Sequence, residues 1–292
     1  MKSGRRLSSK SRTYLGMLIP VVILFFAFNT LPLIIGAFYS FTNYRGYGSW
    51  DFVGLRNYFD LFTDSRVWNS YLFTFKYAIV EVPFSICIAL VLAVLLNRKM
   101  RGRSAYRTII FLPMVAAPAA VAMVWRWLFN SDFGLINNLF HVNVKWISNP
   151  KIAVFSIAVI GIWSIIGYNM VLFIAGLQEI PHDYYEAAEI DGATGIKCFF
   201  NITIPLLSPT IFFVMITRII GSLQIFDLIY MVMEKSNPAL EKTQSLVFLF
   251  YKYSFTNKNV GYGSTIVILL LIITLIITAF QMVAQKKWVF YN

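Results

Sequence analysis

Side chains able to do chemistry are few in this sequence and are not assembled for it. His141 and His182 are the only histidines among 292 residues. Neither has a cysteine or second histidine at metal-ligand spacing, so a zinc site or a histidine proton relay lacks parts. Cys87 sits in an apolar run and Cys198 in a polar connection, and both read as free thiols. The phosphate-cradling GxxxxGK loop with its Ser or Thr is missing, as is the GxSxG elbow. The expectation is a chain with no catalytic residue, no metal and no cofactor of its own, so that any nucleotide chemistry belongs to another chain.

Two other groupings are less easily dismissed. Between Glu179 and Pro205 stand Glu179, Asp183, Glu186, Glu189 and Asp191 against a single base, Lys197. Asp183 lies three residues before Glu186, the spacing of a capping box, and Pro181 discourages an earlier start, so the spacing predicts a short helix from about Tyr184. Ala187 and Ala188 would keep its surface low, and Gly192 can take the left-handed conformation that ends a helix. Asn201 to Pro205 then leads into the next apolar run, with the proline near a first helical turn.

The second grouping lies within apolar runs. Gly161, Ser164 and Tyr168 share one helical face with Trp163 and Asn169 beside it, and Arg218, Gly221 and Ser222 repeat the pattern later. Hydroxyls, glycine and an aromatic ring suit a sugar, while Ser and Gly equally serve plain helix packing in membranes. Arg218 near mid-run needs a partner or an aqueous path, and Asp227 is too far along to be its obvious mate. Lys76 and Glu81, five apart and followed by Pro83, read as a local or intersubunit pair.

The elements that position these residues follow from composition. With 58% apolar and 13% charged residues, the chain has too few polar side chains to cover a soluble globule of its size. The formal charge of +12 gathers at the edges of apolar runs, with no aromatic-interleaved basic stripe, which points to a membrane and away from nucleic acid. Six runs are long enough to cross: near Leu15 to Phe41, Ser70 to Leu96, Arg107 to Phe129, 152 to 178, Leu206 to Met233, and between Lys258 and Lys286. The first is too long for a signal peptide and lacks a clear small-residue cleavage site. The runs show no strand-like alternation, so they must be helices. Counting Lys and Arg in the connections puts both termini on the cytoplasmic side. The expected fold is an all-α membrane protein with six transmembrane helices in one domain.

The stretch EAAEIDGATGIKCFFNITIP, Glu186 to Pro205, resembles the EAA loop of permease subunits of binding-protein-dependent ABC importers, with Ile204 in place of the usual leucine. RTIIFLP (Arg107 to Pro113), VWRWLF (Val124 to Phe129), AGLQEIP (Ala175 to Pro181) and LQIFDLIY (Leu223 to Tyr230) extend the resemblance along the chain, within the carbohydrate branch. MVMEKSNPALEKT departs from the glycine-rich turn common there.

The resemblance implies a type I importer permease of a bacterial cell membrane, importing a sugar or oligosaccharide. It would have a basic tail (1–13), a first helix with its loop (14–69), a core (70–285) holding the coupling loop (179–205), and a C-terminal tail (286–292). Its partners would be a second permease, two ATPase subunits carrying ATP and Mg, an extracytoplasmic solute-binding protein and membrane lipid. Glu186, Ala187, Ala188, Glu189, Asp191, Gly192 and Pro205 would form the coupling segment seated in an ATPase. Trp163, Ser164, Tyr168, Asn169, Arg218 and Ser222 would line the pathway. The alternatives are the same machine carrying glycerol phosphate, with Arg218 as an anion site, a stand-alone secondary transporter, or an assembly protein.

Overall fold

A computed structural model describes the backbone of residues 9–98, 100–234 and 236–290, with side chains from residue 16 onward. The side chains of the expected basic tail, Lys99, Lys235 and the last two residues lie outside the described part. Among the described residues every regular element is helical, beside one isolated antiparallel bridge between Thr42 and Phe52.

In order these are α1 (Ser9–Phe25), α2 (Leu31–Tyr39), α3 (Arg56–Thr63), α4 (Ser65–Asn97), α5 (Arg103–Val115), α6 (Pro118–Leu128), α7 (Leu135–Phe140) and α8 (Ala153–Gln178). There follow α9 (Asp183–Ile190), α10 (Gly195–Cys198), α11 (Ile204–Leu206), α12 (Ser208–Leu223), α13 (Asp227–Val232), α14 (Leu240–Thr243), α15 (Leu246–Tyr251) and α16 (Val260–Ala284). Short π-helical stretches at Phe26–Thr30, Phe199–Thr203 and Lys252–Thr256 join some of them.

Four stretches are each one helix long and apolar enough to cross a membrane: Gly16–Tyr39, Ser65–Asn97, Ala153–Gln178 and Val260–Lys287. Each of the other two expected spans is broken into two helices. Over Arg107 to Phe129, α5 and α6 meet at 97°. Pro118 explains the break, because its ring drives the preceding residue out of the helical region, and Ala117 sits at φ −59°, ψ 129°. Over Leu206 to Met233, the helix Gly195–Leu206 meets α12 at 67° with Pro209 in the first turn of α12, and a second break at Gln224 precedes α13. Among the described residues there are thus four candidate spans, or up to six if each bent pair counts as one.

Two of the π turns share a cause. Pro32 and Pro205 each stand two residues after a π stretch, Phe26–Thr30 and Phe199–Thr203, closed by Leu31 N–H to Phe26 and Ile204 N–H to Phe199. A proline clashes with the carbonyl of residue i−4 and donates nothing to it. Widening the preceding turn by one residue relieves that clash while the rod continues.

The chain divides into two compact units. In the first, residues 1–63 with 250–268, Asn57 Nδ2 donates to the carbonyls of Ser40 and Thr42 at 2.9 and 2.8 Å, and Thr265 Oγ1 donates to Ser40 at 3.2 Å. These bonds satisfy carbonyls that the end of α2 leaves open. Gly261 leaves no room for a β-carbon, which would overlap the Thr42 carbonyl. None of the most apolar window of Gly16–Tyr39 is buried, so that rod shows its apolar surface all round.

In the second unit, residues 64–249 with 269–292, α4 and α8 lie along one another. Phe73 and Tyr77 pack with Ile157 and Ile229, while Ala89 and Ala93 pack with Phe173 and Leu207. Asp64 caps α4 through the Arg66 N–H at 2.9 Å, and Arg107 donates to the Leu96 carbonyl at 2.9 Å at the other end. Cations at a helix C-terminus complement both the open carbonyls and the dipole.

Candidate functional site

The acidic segment folds as a short helix, a left-handed turn and a second helix. Gly192 has φ +72°. Ala193 N–H reaches the Ala188 carbonyl at 2.9 Å and Gly192 N–H that of Glu189 at 3.0 Å, the paired bonds of a Schellman ending. The start differs from the expected capping box. His182, not Asp183, is the N-cap residue, and no side chain caps the helix. Glu186 instead meets the His182 ring nitrogen at 3.1 Å, because one helical turn brings i and i+4 together.

Glu186, Ala187, Glu189, Asp191 and Gly192 are exposed, whereas Ala188 is buried against its own chain and Pro205 is half-buried. Ala187 alone therefore supplies the low outer surface expected of both alanines. Two apolar side chains stand out beside the acids, Ile190 at 86% and Ile196 at 74% exposure. No atom lies within 4 Å of where a Gly192 β-carbon would point, so space on this chain does not require glycine there, whereas its backbone angle does.

The anchoring of this segment left no signal in residue types or spacing. Tyr185 Oη lies 3.1 Å from Thr203 Oγ1, tying α9 to the π turn that feeds α11 and α12. At the bend between those two helices, Ser208 Oγ accepts the Phe290 N–H at 2.9 Å, and Trp288 meets the Phe212 ring edge-on at 6.0 Å. Residues 288 to 290 thus fold back on the joint.

Deeper in the same unit Arg218 has a partner, and it is Glu81. Nη2 of Arg218 donates to Oε1 of Glu81 at 2.6 Å, with the two side chains 15% and 0% exposed. This corrects the local pairing of Lys76 with Glu81, since the carboxylate faces α12 and Lys76 points outward. The ion pair therefore joins α4 to α12 across 137 residues of sequence.

The remaining pathway candidates divide by exposure. Asn169 is fully buried with neither side-chain polar atom hydrogen-bonded, and Ser222 is buried and donates to the Ile219 carbonyl at 2.9 Å. Ser164 donates to the Ile160 carbonyl at 2.8 Å and is half-buried, as is Tyr168. Trp163 is 41% exposed and meets Trp125 edge-on at 5.5 Å, and Trp125 in turn lies 5.1 Å from Phe129. Trp163, Ser164 and Tyr168 are thus the candidates on α8 with accessible surface.

Gly161 belongs to packing. A β-carbon there would overlap Tyr77 Oη of α4. At Gly167 it would strike the backbone of Ile110 and Phe111 in α5, and at Gly176 it would strike Thr210 and Leu207. Three notches thus let three neighbours close on α8.

Near Trp146 a polar hollow of about 290 Å³ includes Arg126 and Glu234, which form an ion pair across it. Arg126 belongs to the VWRWLF stretch and Glu234 to the departing MVMEKSNPALEKT segment, so the unusual loop carries its own contact.

Residues 85–289 match the family described as "Binding-protein-dependent transport system inner membrane component". Over 299 aligned residues the chain is 33% identical to the probable ABC transporter permease protein YesP of Bacillus subtilis, covering 100% of this chain and 96% of that one. It is 33% identical to the sn-glycerol-3-phosphate transport system permease protein UgpA of Agrobacterium fabrum, over 83% of each. It is 30% identical to the multiple sugar-binding transport system permease protein MsmF of Streptococcus mutans, over 97% of this chain and 98% of that one. In fold it superimposes on a chain of a bacterial ABC transporter involved in the import of alginate with a TM-score of 0.85 at 21% identity, covering 95% and 96%.

Proposed function

The chain belongs to the family of binding-protein-dependent transport system inner membrane components, and from that membership we propose that it is one permease subunit of an ATP-driven carbohydrate importer. It crosses the membrane six times, each bent pair counting as one crossing, with both ends in the cytoplasm. A second permease completes the pathway, two separate ATPase subunits hold ATP and Mg, and an extracytoplasmic binding protein delivers the sugar.

The observation that carries this reading is the protruding α9 turn. Its acids and Ile190 face solvent, yet its inner side is fixed through Tyr185 to the π turn that leads into α11 and, past the bend, α12. An isoleucine 86% exposed beside carboxylates is a surface awaiting a partner with an apolar pocket and a basic rim. A push on α9 would pass through the Tyr185–Thr203 contact to α11 and α12, and through Arg218 and Glu81 to α4. Trp163, Ser164 and Tyr168 then supply an aromatic face and hydroxyls to a passing sugar.

The name of one relative carries glycerol phosphate, a cargo that would need a cation facing the path. Arg218 is already committed to Glu81, which favours the neutral cargo. The test is uptake of labelled oligosaccharide by proteoliposomes holding the whole complex. Uptake is expected only with ATP inside and binding protein outside, and uptake that persists without ATP overturns the reading in favour of a secondary transporter.

A further inference from the structure

A groove of about 530 Å³ runs along α4 and the start of α8 in the second unit, reached also by α14. Three lysines line it, Lys76, Lys151 and Lys242, and no carboxylate does. None of the three enters an ion pair among the described residues. The walls are apolar and open, with Leu72 at 52%, Ile79 at 69% and Phe155 at 55% exposure.

The depth of the groove follows from the length of α4. Its 33 residues span about 50 Å, some 20 Å more than a hydrocarbon core of about 30 Å. Lys76 stands about 16 Å from the start of α4, less than two turns into the apolar run that begins near Ser70. Lys151 stands just before α8 begins at Ala153. A lysine this far into an apolar run extends its ammonium back towards water and leaves its stem among apolar walls, and Lys151 and Lys242 line the same groove.

We propose that this groove binds an anionic phospholipid of the phosphatidylglycerol or cardiolipin type, its phosphate held by Lys76, Lys151 and Lys242 and its acyl chains laid on Leu72, Ile79 and Phe155. Converging cations above an apolar wall match an amphiphile with a negative head. A soluble anion would leave the wall bare, and a zwitterionic lipid would bring a cation towards three others. Juxtamembrane lysines attract anionic headgroups strongly enough for three to give selectivity.

The test uses the assembled transporter in mild detergent, titrated with phosphatidylglycerol or phosphatidylcholine and read by native mass spectrometry. Retained phosphatidylglycerol is expected in preference to phosphatidylcholine. Lys76→Gln should weaken it about fivefold and the triple Lys76→Gln, Lys151→Gln, Lys242→Gln variant on the order of 100-fold, while the triple arginine variant keeps it. Equal retention of both lipids, or an unchanged triple glutamine variant, overturns the proposal. So does competition by millimolar inorganic phosphate, which would mark a soluble-anion site. Crosslinks from Ile79→Cys to a partner subunit would overturn it too, by showing the groove filled with protein. The triple arginine variant guards against misfolding, because it changes the same positions and keeps the charge.

Discussion

The Glu81–Arg218 pair should behave as a unit, and a double-mutant cycle measures that. Oε1 and Nη2 are 2.6 Å apart, with Glu81 fully buried and the Arg218 side chain 15% exposed. At an effective dielectric constant near 20, two unit charges 4 Å apart attract by about 4 kcal/mol. Removing one partner forfeits that attraction and strands the other charge, at about 3–5 kcal/mol. Arg218→Met or Glu81→Leu alone should therefore lower the melting temperature in detergent by roughly 10 °C. The double variant removes both desolvation costs along with the attraction and should return to within about 1 kcal/mol of wild type, giving a coupling energy of about 5 kcal/mol or more. The readout is thermal unfolding of the assembled complex, followed by tryptophan fluorescence. Additive losses, with the double variant as unstable as the two singles combined, would show that the two groups act independently and refute the reasoning.

Gly161→Ala should cost about 1–3 kcal/mol because its methyl overlaps Tyr77 Oη, and Tyr77→Phe in the same chain should recover much of the loss in melting temperature. Gly167→Ala should cost at least as much with no side-chain rescue, since its obstacle is the backbone of Ile110 and Phe111. Gly192→Ala should cost about 1–2 kcal/mol, the penalty for a β-carbon in a left-handed residue, and Gly192→Asn less, as read by hydrogen exchange at Ala193. Tyr185→Phe should leave insertion and ATPase binding intact but lower sugar uptake per ATP hydrolysed in proteoliposomes, and unchanged stoichiometry would show that the Thr203 contact transmits nothing.

Long apolar runs were legible because only length and composition decide them. Ser65–Asn97, Ala153–Gln178 and Val260–Lys287 fall close to where the apolar runs place them. The bends were less legible, although their cause was in view. Pro118 and Pro209 break their rods, yet Pro83 sits inside a continuous α4. Which proline breaks a helix depends on what neighbouring helices hold in place, and a single sequence does not reveal those neighbours.

Gly192 could be read as a left-handed stop because one residue's backbone decides it. The Glu81–Arg218 pair could not, since it joins positions 137 apart and requires the packing of α4 against α12. Spacing favoured Lys76 as the partner, but a five-residue separation on a helix points the two side chains to different faces. The Tyr185–Thr203 contact carried no signal at all, because neither residue is unusual where it stands.

The three notches in α8 limit how the protein can change shape. With Tyr77, the Ile110–Phe111 backbone and Thr210 each seated where a methyl group should be, this rod has no clearance to spin or slide past its neighbours. Whatever opens one end of the passage must carry α4, α5 and the beginning of α12 along with it as a single block, and the give must come from the proline joints at Pro118 and Pro209.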